Sequence, residues 1–289
     1  MSELELGIYE RLLDTELSDA LTASPELSSI LRKIDDEAAP HTYAQFIAQL
    51  LQQALRSTKA DARIPLLNQI IELLAATDGL KYMERNRLLT DGKNLLTEVN
   101  QSNAVLPRPQ TPLSTSALLT GLGNDPALEH ELRAEMETAD RVDILVSFIK
   151  WSGLRLLRPS FEKLAERGIP IRILSTSYMG ASDPVALEWL SKLPNVDVRL
   201  SYDTGGTRLH AKAYHFIRKS GYSTAYIGSA NMSHAAMTQG LEWTVKVTAQ
   251  DMPHILSRFV AEFATYWESN EFEVYEETEF QRFRKAIND

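Results

Sequence analysis

Two short motifs carry side chains of the types that act on a phosphodiester. His210 and Lys212 are two residues apart in a predicted strand, so both side chains point to one face of the sheet. A neutral imidazole there can attack phosphorus or move a proton, while the ammonium offsets the charge of the phosphate oxygens. Further on, Gly228, Ser229 and Asn231 follow a predicted strand and precede a predicted helix, which suits close backbone approach and anion binding. Together these residues predict a phosphodiester site.

A carboxylate completes the candidate site. Glu242 lies in a predicted strand at 241–247, and the apolar residues of that strand alternate with it. The predicted apolar face comprises Leu241, Trp243, Val245 and Val247. Pointing away from that face, Glu242 can orient a histidine and raise its basicity. A surface ion pair with Lys246 is the alternative for Glu242, and a helix N-cap is the alternative for Asn231.

The composition excludes several classes of site. The 289 residues contain no cysteine, so disulfides, zinc-thiolate sites and iron–sulfur clusters are ruled out and a reducing, cytoplasmic compartment is expected. No apolar stretch reaches the roughly 18 residues that a membrane span needs, and the N-terminus does not resemble a signal peptide. Gly92-Lys93-Asn94 lacks the remaining residues of a P-loop. We therefore expect no membrane insertion and no ATP hydrolysis by this chain.

The charge distribution bears on nucleic-acid binding. The net charge of −9 argues against a protein that coats nucleic acid over its whole surface. Residues 208–219 nevertheless hold two arginines, two lysines, two histidines and no acid, and Arg208 at their start is a candidate substrate-binding residue. Chance clustering on a solvated strand is the alternative.

Hydrophobic periodicity divides the chain in two. Residues 1–99 show helical spacing that predicts a small helical domain of four or five helices. Ser24-Pro25-Glu26 and Thr42 are its candidate helix starts. Residues 100–112 are rich in proline and polar residues, which predicts a linker.

Helices and β-rich runs alternate after this linker. The pattern predicts an α/β domain at 113–270, a sheet with helices on both faces. The predicted strands are 142–148, 169–176, 196–201, 210–216, 224–228 and 241–247, and the predicted helices are 126–140, 153–167, 183–193 and 251–268. Residues 271–289 are acidic and aromatic, and are predicted to form a packed C-terminal tail or a connection to a following domain.

The combination of HxK at 210–212 and GSxN at 228–231 resembles the phospholipase D superfamily. That family's motif is HxKxxxxD with a downstream GSxN, and Ile217 stands here in the place of the aspartate. Its metal-independent nucleases also lack the aspartate and use a glutamate about eleven residues beyond the asparagine, where Glu242 stands. The resemblance implies a phospholipase D-like domain with a mixed sheet, of the nuclease branch.

A wider resemblance covers nearly the whole chain. Four segments are similar to the N-terminal region of large bacterial superfamily 2 helicases: TPLSTSALLT at 111–120, VSFIKWSGLRLL at 146–157, STAYIGSANMS at 223–233 and GLEW at 240–243. In those proteins a helical segment and a phospholipase D-like domain precede the motor. The resemblance implies a helicase domain as partner, following in a longer chain beyond Asp289.

The superfamily mechanism uses two histidines. One attacks phosphorus to form a phosphohistidine, the other protonates the leaving oxygen, and water releases the product without metal or cofactor. Because this chain has one HxK motif, the resemblance implies a homodimer that shares a site between two copies of His210. Lys212 and Asn231 would hold the phosphate, Ser229 would assist, and each Glu242 would orient a histidine.

Three functions remain open from the sequence. The first is a metal-independent nuclease, with DNA as the expected nucleic acid. The second is a nucleic-acid-binding or targeting module of a helicase that turns over little. The third is a lipid or small-molecule phosphodiesterase, disfavoured because the aspartate is missing and no amphipathic helix has a basic face.

Several other polar residues have two interpretations. His215 is predicted to pack on the opposite strand face from His210, whereas His234 either reaches the site or faces solvent. Lys150 and Trp151 either contact a nucleotide or, for the tryptophan, pack in the core. Tyr178 and Met179 are assigned to the core rather than to a substrate groove.

Overall fold

The chain divides into two compact units, residues 1–99 and 100–289. A computed structural model describes residues 6–77, 87–90, 92, 94–100, 105–177, 181–202, 209–238 and 240–276. The finer division into a linker at 100–112, a domain at 113–270 and a tail at 271–289 stays a prediction. No helix in these described ranges is long and apolar enough to cross a membrane.

The helical unit contains three helices in its described part, where the sequence predicted four or five over the whole region. They are α1 Thr15–Ala23, α2 Ala39–Ser57 and α3 Ala60–Ala75. The Asp14 carboxylate accepts from the backbone N–H of Leu17 at 2.8 Å and so caps α1. No residue of the three helices is fully buried.

Both predicted helix starts in this unit are wrong. Ser24 follows the last residue of α1, and the proline after it lies in a turn. Thr42 lies inside the first turn of α2, which begins at Ala39. Pro40 explains the difference, because a proline is favourable in the first helical turn, where its missing N–H has no partner to lose.

The second unit is an α/β domain. Its strands are β1 Ala117–Leu119, β2 Arg141–Leu145, β3 Ile171–Thr176, β4 Val196–Ser201, β5 Ala213–Ile217, β6 Thr224–Gly228, β7 Thr244–Thr248 and β8 Glu273–Val274. Its helices are α4 Leu128–Thr138, α5 Trp151–Glu166, α6 Pro184–Ser191, α7 His234–Thr238 and α8 Pro253–Glu268.

The described strands form one mixed eight-stranded sheet. Their order is β1-β7-β6-β5-β2-β3-β4-β8. Strands β2, β3 and β4 run parallel to one another, and every other neighbouring pair is antiparallel. The helices α5 and α6 provide the crossovers that parallel strands require.

Helices cover both faces of this sheet, as the sequence predicted. On one face, α4, α5, α6 and α7 bury the main core, with Leu132, Phe161, Leu187 and Met237 each fully buried. On the other face, Phe263 and Trp267 of α8 pack against β2 and β3. Burial of each such side chain contributes about 1.5–3 kcal/mol relative to its exposure to water. The mixed α/β fold preceded by helices is therefore confirmed.

A buried ionic network joins α4 to strands β6 and β7 and to Arg218, which follows β5. The Glu135 carboxylate contacts Arg218 at 2.6 Å and Lys246 at 3.0 Å, and all three side chains are buried. Burial alone would raise the pKa of Glu135, but the two cations more than offset it and lower that pKa. The hydroxyl of Tyr226 donates to the same carboxylate at 2.9 Å.

The predicted apolar face of 241–247 is wrong for three of its four residues, because the network occupies the buried positions beside it and only Val247 of that face is buried. The buried positions of β7 are Thr244, Lys246, Val247 and Thr248, whereas Leu241 and Trp243 before it are 73% and 63% exposed. Lys246 tolerates burial because α4 supplies Glu135. Because Glu135 is more than 100 residues from Lys246 in the sequence, the residue pattern of the strand alone does not predict that this lysine is buried.

The two edge strands were not predicted. Strand β1 pairs with β7, and β8 pairs with β4. Three- and two-residue strands are too short for alternation to be visible. Because Phe272 and Tyr275 are buried in the domain, the described start of the predicted tail is a packed segment.

Candidate active site

Sheet topology brings the predicted motif residues to one end of three neighbouring strands. Strand β5 begins at Ala213 and pairs with the end of β6, which in turn pairs with the beginning of β7. The HxK segment precedes β5, the GSxN turn follows β6, and Glu242 precedes β7. Antiparallel pairing therefore places all three segments at the same end of these three strands.

His210 and Lys212 lie in the segment before β5 rather than within a strand. His210 is exposed, whereas the side chain of Lys212 is buried, with 5% of its surface exposed. The Lys212 ammonium donates to the carbonyl of His210 at 2.6 Å. No hydrogen bond from any described residue engages the His210 ring, which leaves it available to a substrate.

Burial has an electrostatic consequence for Lys212. It lowers the pKa of the ammonium, and the nearby Glu242 carboxylate acts in the opposite direction. A partly desolvated cation interacts more strongly with an anion than a solvated one does. Lys212 is thus suited to phosphate binding.

The turn after β6 is fixed by backbone contacts. A Cβ on Gly228 would come within 2.2 Å of the Trp243 carbonyl, so glycine is required where β6 meets β7. The sequence interpretation assigned this close approach to a ligand, whereas the structure shows it with a neighbouring strand. The buried Tyr214 hydroxyl donates to the carbonyl of Ala230 at 3.1 Å and so links β5 to this turn.

The Asn231 side chain ties this turn to the end of β2. Its amide oxygen accepts from the backbone N–H of Phe148 at 3.2 Å, and the residue is 9% exposed. It does not cap α7, because the Ser233 hydroxyl accepts from Ala236 there. With its oxygen engaged, the amide can offer only N–H donors to a phosphate.

Glu242 contacts the GSxN turn directly. The Ser229 hydroxyl donates to its carboxylate, and the same hydroxyl accepts from the backbone N–H of Trp243 at 3.2 Å. The alternative pairing with Lys246 does not occur, because that lysine is buried against Glu135. Among the described residues no hydrogen bond joins Glu242 to His210, so its role in orienting a histidine stays a prediction.

In the described part of the predicted basic cluster at 208–219, Lys212, His215 and Arg218 are buried and add no charge to the surface. Arg218 is buried against Glu135, and His215 is buried 3.9 Å from the Asp143 carboxylate. His215 also packs edge-on against Phe259 of α8, on the sheet face opposite the main core, which agrees with its predicted packing role. Arg208 lies outside the described residues, so its role as a substrate-binding residue stays a prediction.

The remaining candidates separate into packed and exposed residues. Trp151 packs against Trp189 with ring centroids 6.1 Å apart, and Lys150 pairs with Asp183 at 3.3 Å. His234 is exposed at the start of α7. Tyr178 and Met179 lie outside the described residues. In the part of the chain that the structure describes, no group of three or more His, Asp or Glu residues is arranged to hold a metal ion.

Sequence reasoning missed two supports of the site. Tyr214 shares the sheet face predicted for Lys212, but its contact with the GSxN turn depends on strand pairing. The Phe148 N–H that holds Asn231 is a backbone group 83 residues away, which no residue-type pattern can reveal.

A family model described as "Cardiolipin synthase, PLD-like domain" matches residues 132–267. The matched range includes β2 to β7 and every described candidate site residue. No curated protein matches this chain.

The similar solved structures include three bacterial proteins. NucT from Helicobacter pylori is 21% identical over 56% of this chain and 99% of its own, with a TM-score of 0.42. Nuc from Salmonella typhimurium, a phospholipase D family member, is 18% identical over 50% of this chain and 88% of its own, with a TM-score of 0.40. Phosphatidylserine synthase from Haemophilus influenzae is 14% identical over 60% of this chain and 44% of its own, with a TM-score of 0.42.

Proposed function

We propose, from the match of residues 132–267 to a phospholipase D-like domain model, that the protein is a metal-independent phosphodiesterase that cleaves nucleic acid. One observation carries the proposal. The segments that meet at one end of β5, β6 and β7 carry an exposed histidine, a buried lysine and a serine–carboxylate pair. Ile217 stands where the family motif has aspartate. It is the last residue of β5, at the opposite end of the strand from the site, so the missing aspartate removes no group from the site.

The proposed reaction has two steps. A ring nitrogen of His210 attacks phosphorus while the bond from phosphorus to the leaving oxygen breaks, and a second, protonated histidine donates its proton to that oxygen. Water then attacks the phosphohistidine, gives its proton to the second histidine, and the P–N bond breaks. Lys212 and the Asn231 amide stabilise the charge on the phosphate oxygens in both steps. Ser229 assists them, held by Glu242.

The second histidine comes, in this proposal, from another copy of the chain. An apolar patch formed by Leu118, Leu241, Trp243 and Val245 lies beside the site, with exposed fractions of 47%, 73%, 63% and 41%. Val245 and Leu118 are paired neighbours on β7 and β1. Apolar residues with few charges are typical of the buried centre of a homodimer interface. A two-fold dimer through this patch would bring the two His210 residues toward one another.

DNA is the proposed nucleic acid, and a superfamily 2 helicase is the proposed partner. The missing motif aspartate and the spacing of Glu242 support the nuclease branch over the lipase branch. The four helicase-like segments support a motor domain acting with this one, as part of the same chain or as a partner.

The test is cleavage of labelled single- and double-stranded DNA and RNA in EDTA by the purified protein. The wild-type protein should cleave, and His210→Ala should abolish cleavage while its melting temperature and oligomeric state stay unchanged. His234→Ala is the matched control, because this histidine is also exposed and is three residues from Asn231. Cleavage by His210→Ala at the wild-type rate would refute the proposal.

A binding or targeting module is the second candidate. The observation in its favour is that Glu242 contacts Ser229, and no described carboxylate contacts His210. A histidine without an orienting carboxylate is a weaker nucleophile. Retained binding of the same oligonucleotides by wild-type protein, without cleavage in any buffer, would establish this function instead.

A further inference from the structure

A cavity of about 200 Å³ lies directly behind the candidate active site. Its walls come from the loop between β1 and α4, from α7, and from residues 240–244. Glu242 belongs to both places, since it lines the cavity and accepts from Ser229 of the GSxN turn. The cavity and the proposed phosphate site are therefore adjacent.

Specific contacts hold the cavity open. Gly121 has a φ of +71°, and a Cβ there would lie 2.5 Å from the carbonyl of Gly240, so the two walls meet backbone to backbone. Across the same loop, Asp125 accepts from both the N–H and the hydroxyl of Thr120, at 2.6 and 2.8 Å. The cavity is thus part of the folded domain rather than a gap between mobile segments.

The lining combines apolar walls with a hydrogen-bond acceptor. Leu119 and Met237 provide apolar walls, while Glu242 provides a hydrogen-bond acceptor. Thr244 also lines the cavity, is 3% exposed, and its hydroxyl has no hydrogen-bond partner among the described residues. That hydroxyl has almost no accessible surface, so it does not face the open space of the cavity. The volume is below the roughly 300–1,000 Å³ of sites for drug-sized ligands.

We propose that this cavity binds the base of the nucleotide next to the scissile phosphate. The inference rests on the proposed function, because the phosphate must occupy the site beside Ser229. With the base between the apolar walls, Glu242 accepts from an exocyclic amino group. The protein thereby distinguishes nucleic acid from other phosphodiesters.

The cavity is also compatible with the proposed dimer. Thr244 and its neighbour Leu119 on β1 are buried, whereas the adjacent pair Val245 and Leu118 are exposed. Because side chains alternate along a strand, the cavity and the apolar patch lie on opposite faces of β7 and β1. A second copy on the patch leaves the cavity free.

The test compares the binding of deoxyadenosine 5′-monophosphate and 2-deoxyribose 5-phosphate by calorimetry. Ala127→Phe fills the cavity from an exposed position on its lining, and Leu122→Ala removes an exposed part of its wall. Asn124→Phe is the matched control, because it adds the same ring to the same loop outside the lining. Burial of the base between apolar walls should strengthen wild-type binding about tenfold. That advantage should disappear in Ala127→Phe, shrink in Leu122→Ala and persist in Asn124→Phe.

Equal binding of the two ligands by wild-type protein, or no binding of either, would overturn the inference. So would a base advantage that survives in both cavity variants. Binding does not require turnover, so this result is independent of the cleavage assay. A base advantage in a protein that cleaves nothing would retain the cavity as a base site and reject the phosphodiesterase.

Discussion

His210 and Lys212 are two residues apart, yet one is exposed and the other buried. The HxK spacing, together with the GSxN motif and Glu242, made both residues candidates for the site. It did not reveal their different environments, because these depend on the turn after β6 and on Glu242, which approach from other strands. Residue types therefore predicted which residues lie together at this end of the strands, while the burial and the lowered pKa of Lys212 required the fold.

The charge of Lys212 makes a prediction about pH. Lysine is charged below its pKa and neutral above it, and burial lowers this pKa from the ordinary value of 10.5. Binding of oligo(dA) to His210→Ala protein should therefore weaken by about tenfold as pH rises, with a midpoint below 10.5.

Adding Lys212→Arg to His210→Ala should remove this pH dependence, because a guanidinium stays charged throughout the range. Fluorescence anisotropy at a series of pH values measures both proteins. An identical midpoint with lysine and with arginine would show that another group titrates.

Strand boundaries were predicted best where turn-forming residues enclose a β-rich run. The predicted strands at 196–201 and 224–228 coincide with β4 and β6. The predictions failed at β7, whose buried lysine depends on α4, and at β1 and β8, which exist only through pairing with longer strands. Local sequence patterns thus predict strands with a clear run of β-forming residues and miss features that depend on residues distant in the sequence.

The contact between β6 and β7 predicts the effect of a single methyl group. Gly228→Ala places a Cβ against the Trp243 carbonyl and should destabilise the protein by about 1–3 kcal/mol. Chemical denaturation followed by circular dichroism measures the change. Gly123→Ala is the control, because no atom lies within 4 Å of its added Cβ. Equal stability of the two variants would mean that β6 and β7 do not approach so closely.

At the scale of the whole molecule, the sequence predicted a helical unit followed by a mixed α/β domain with helices on both faces. It did not predict which apolar residues remain exposed. Exposed Leu241 and Trp243 were expected in the core, and their position beside the site instead supports the proposed dimer.

The apolar patch makes a prediction about assembly. Trp243→Glu should weaken the dimer about 30-fold or more, the effect of losing a central interface residue worth about 2 kcal/mol. Cleavage should fall in parallel with the dimer fraction, measured by analytical ultracentrifugation. Val185→Glu, at an exposed apolar position of α6, should change neither. A Trp243→Glu protein that is monomeric and fully active would contradict the shared site.

The most direct test of the account is to trap the covalent intermediate. Wild-type protein mixed with phosphate-labelled oligonucleotide in EDTA, and quenched with alkali within milliseconds, should carry label on the peptide that contains His210. The label should be absent from His210→Ala and present in His234→Ala. Rapid cleavage with no labelled protein, or with label on another residue, would contradict nucleophilic attack by His210.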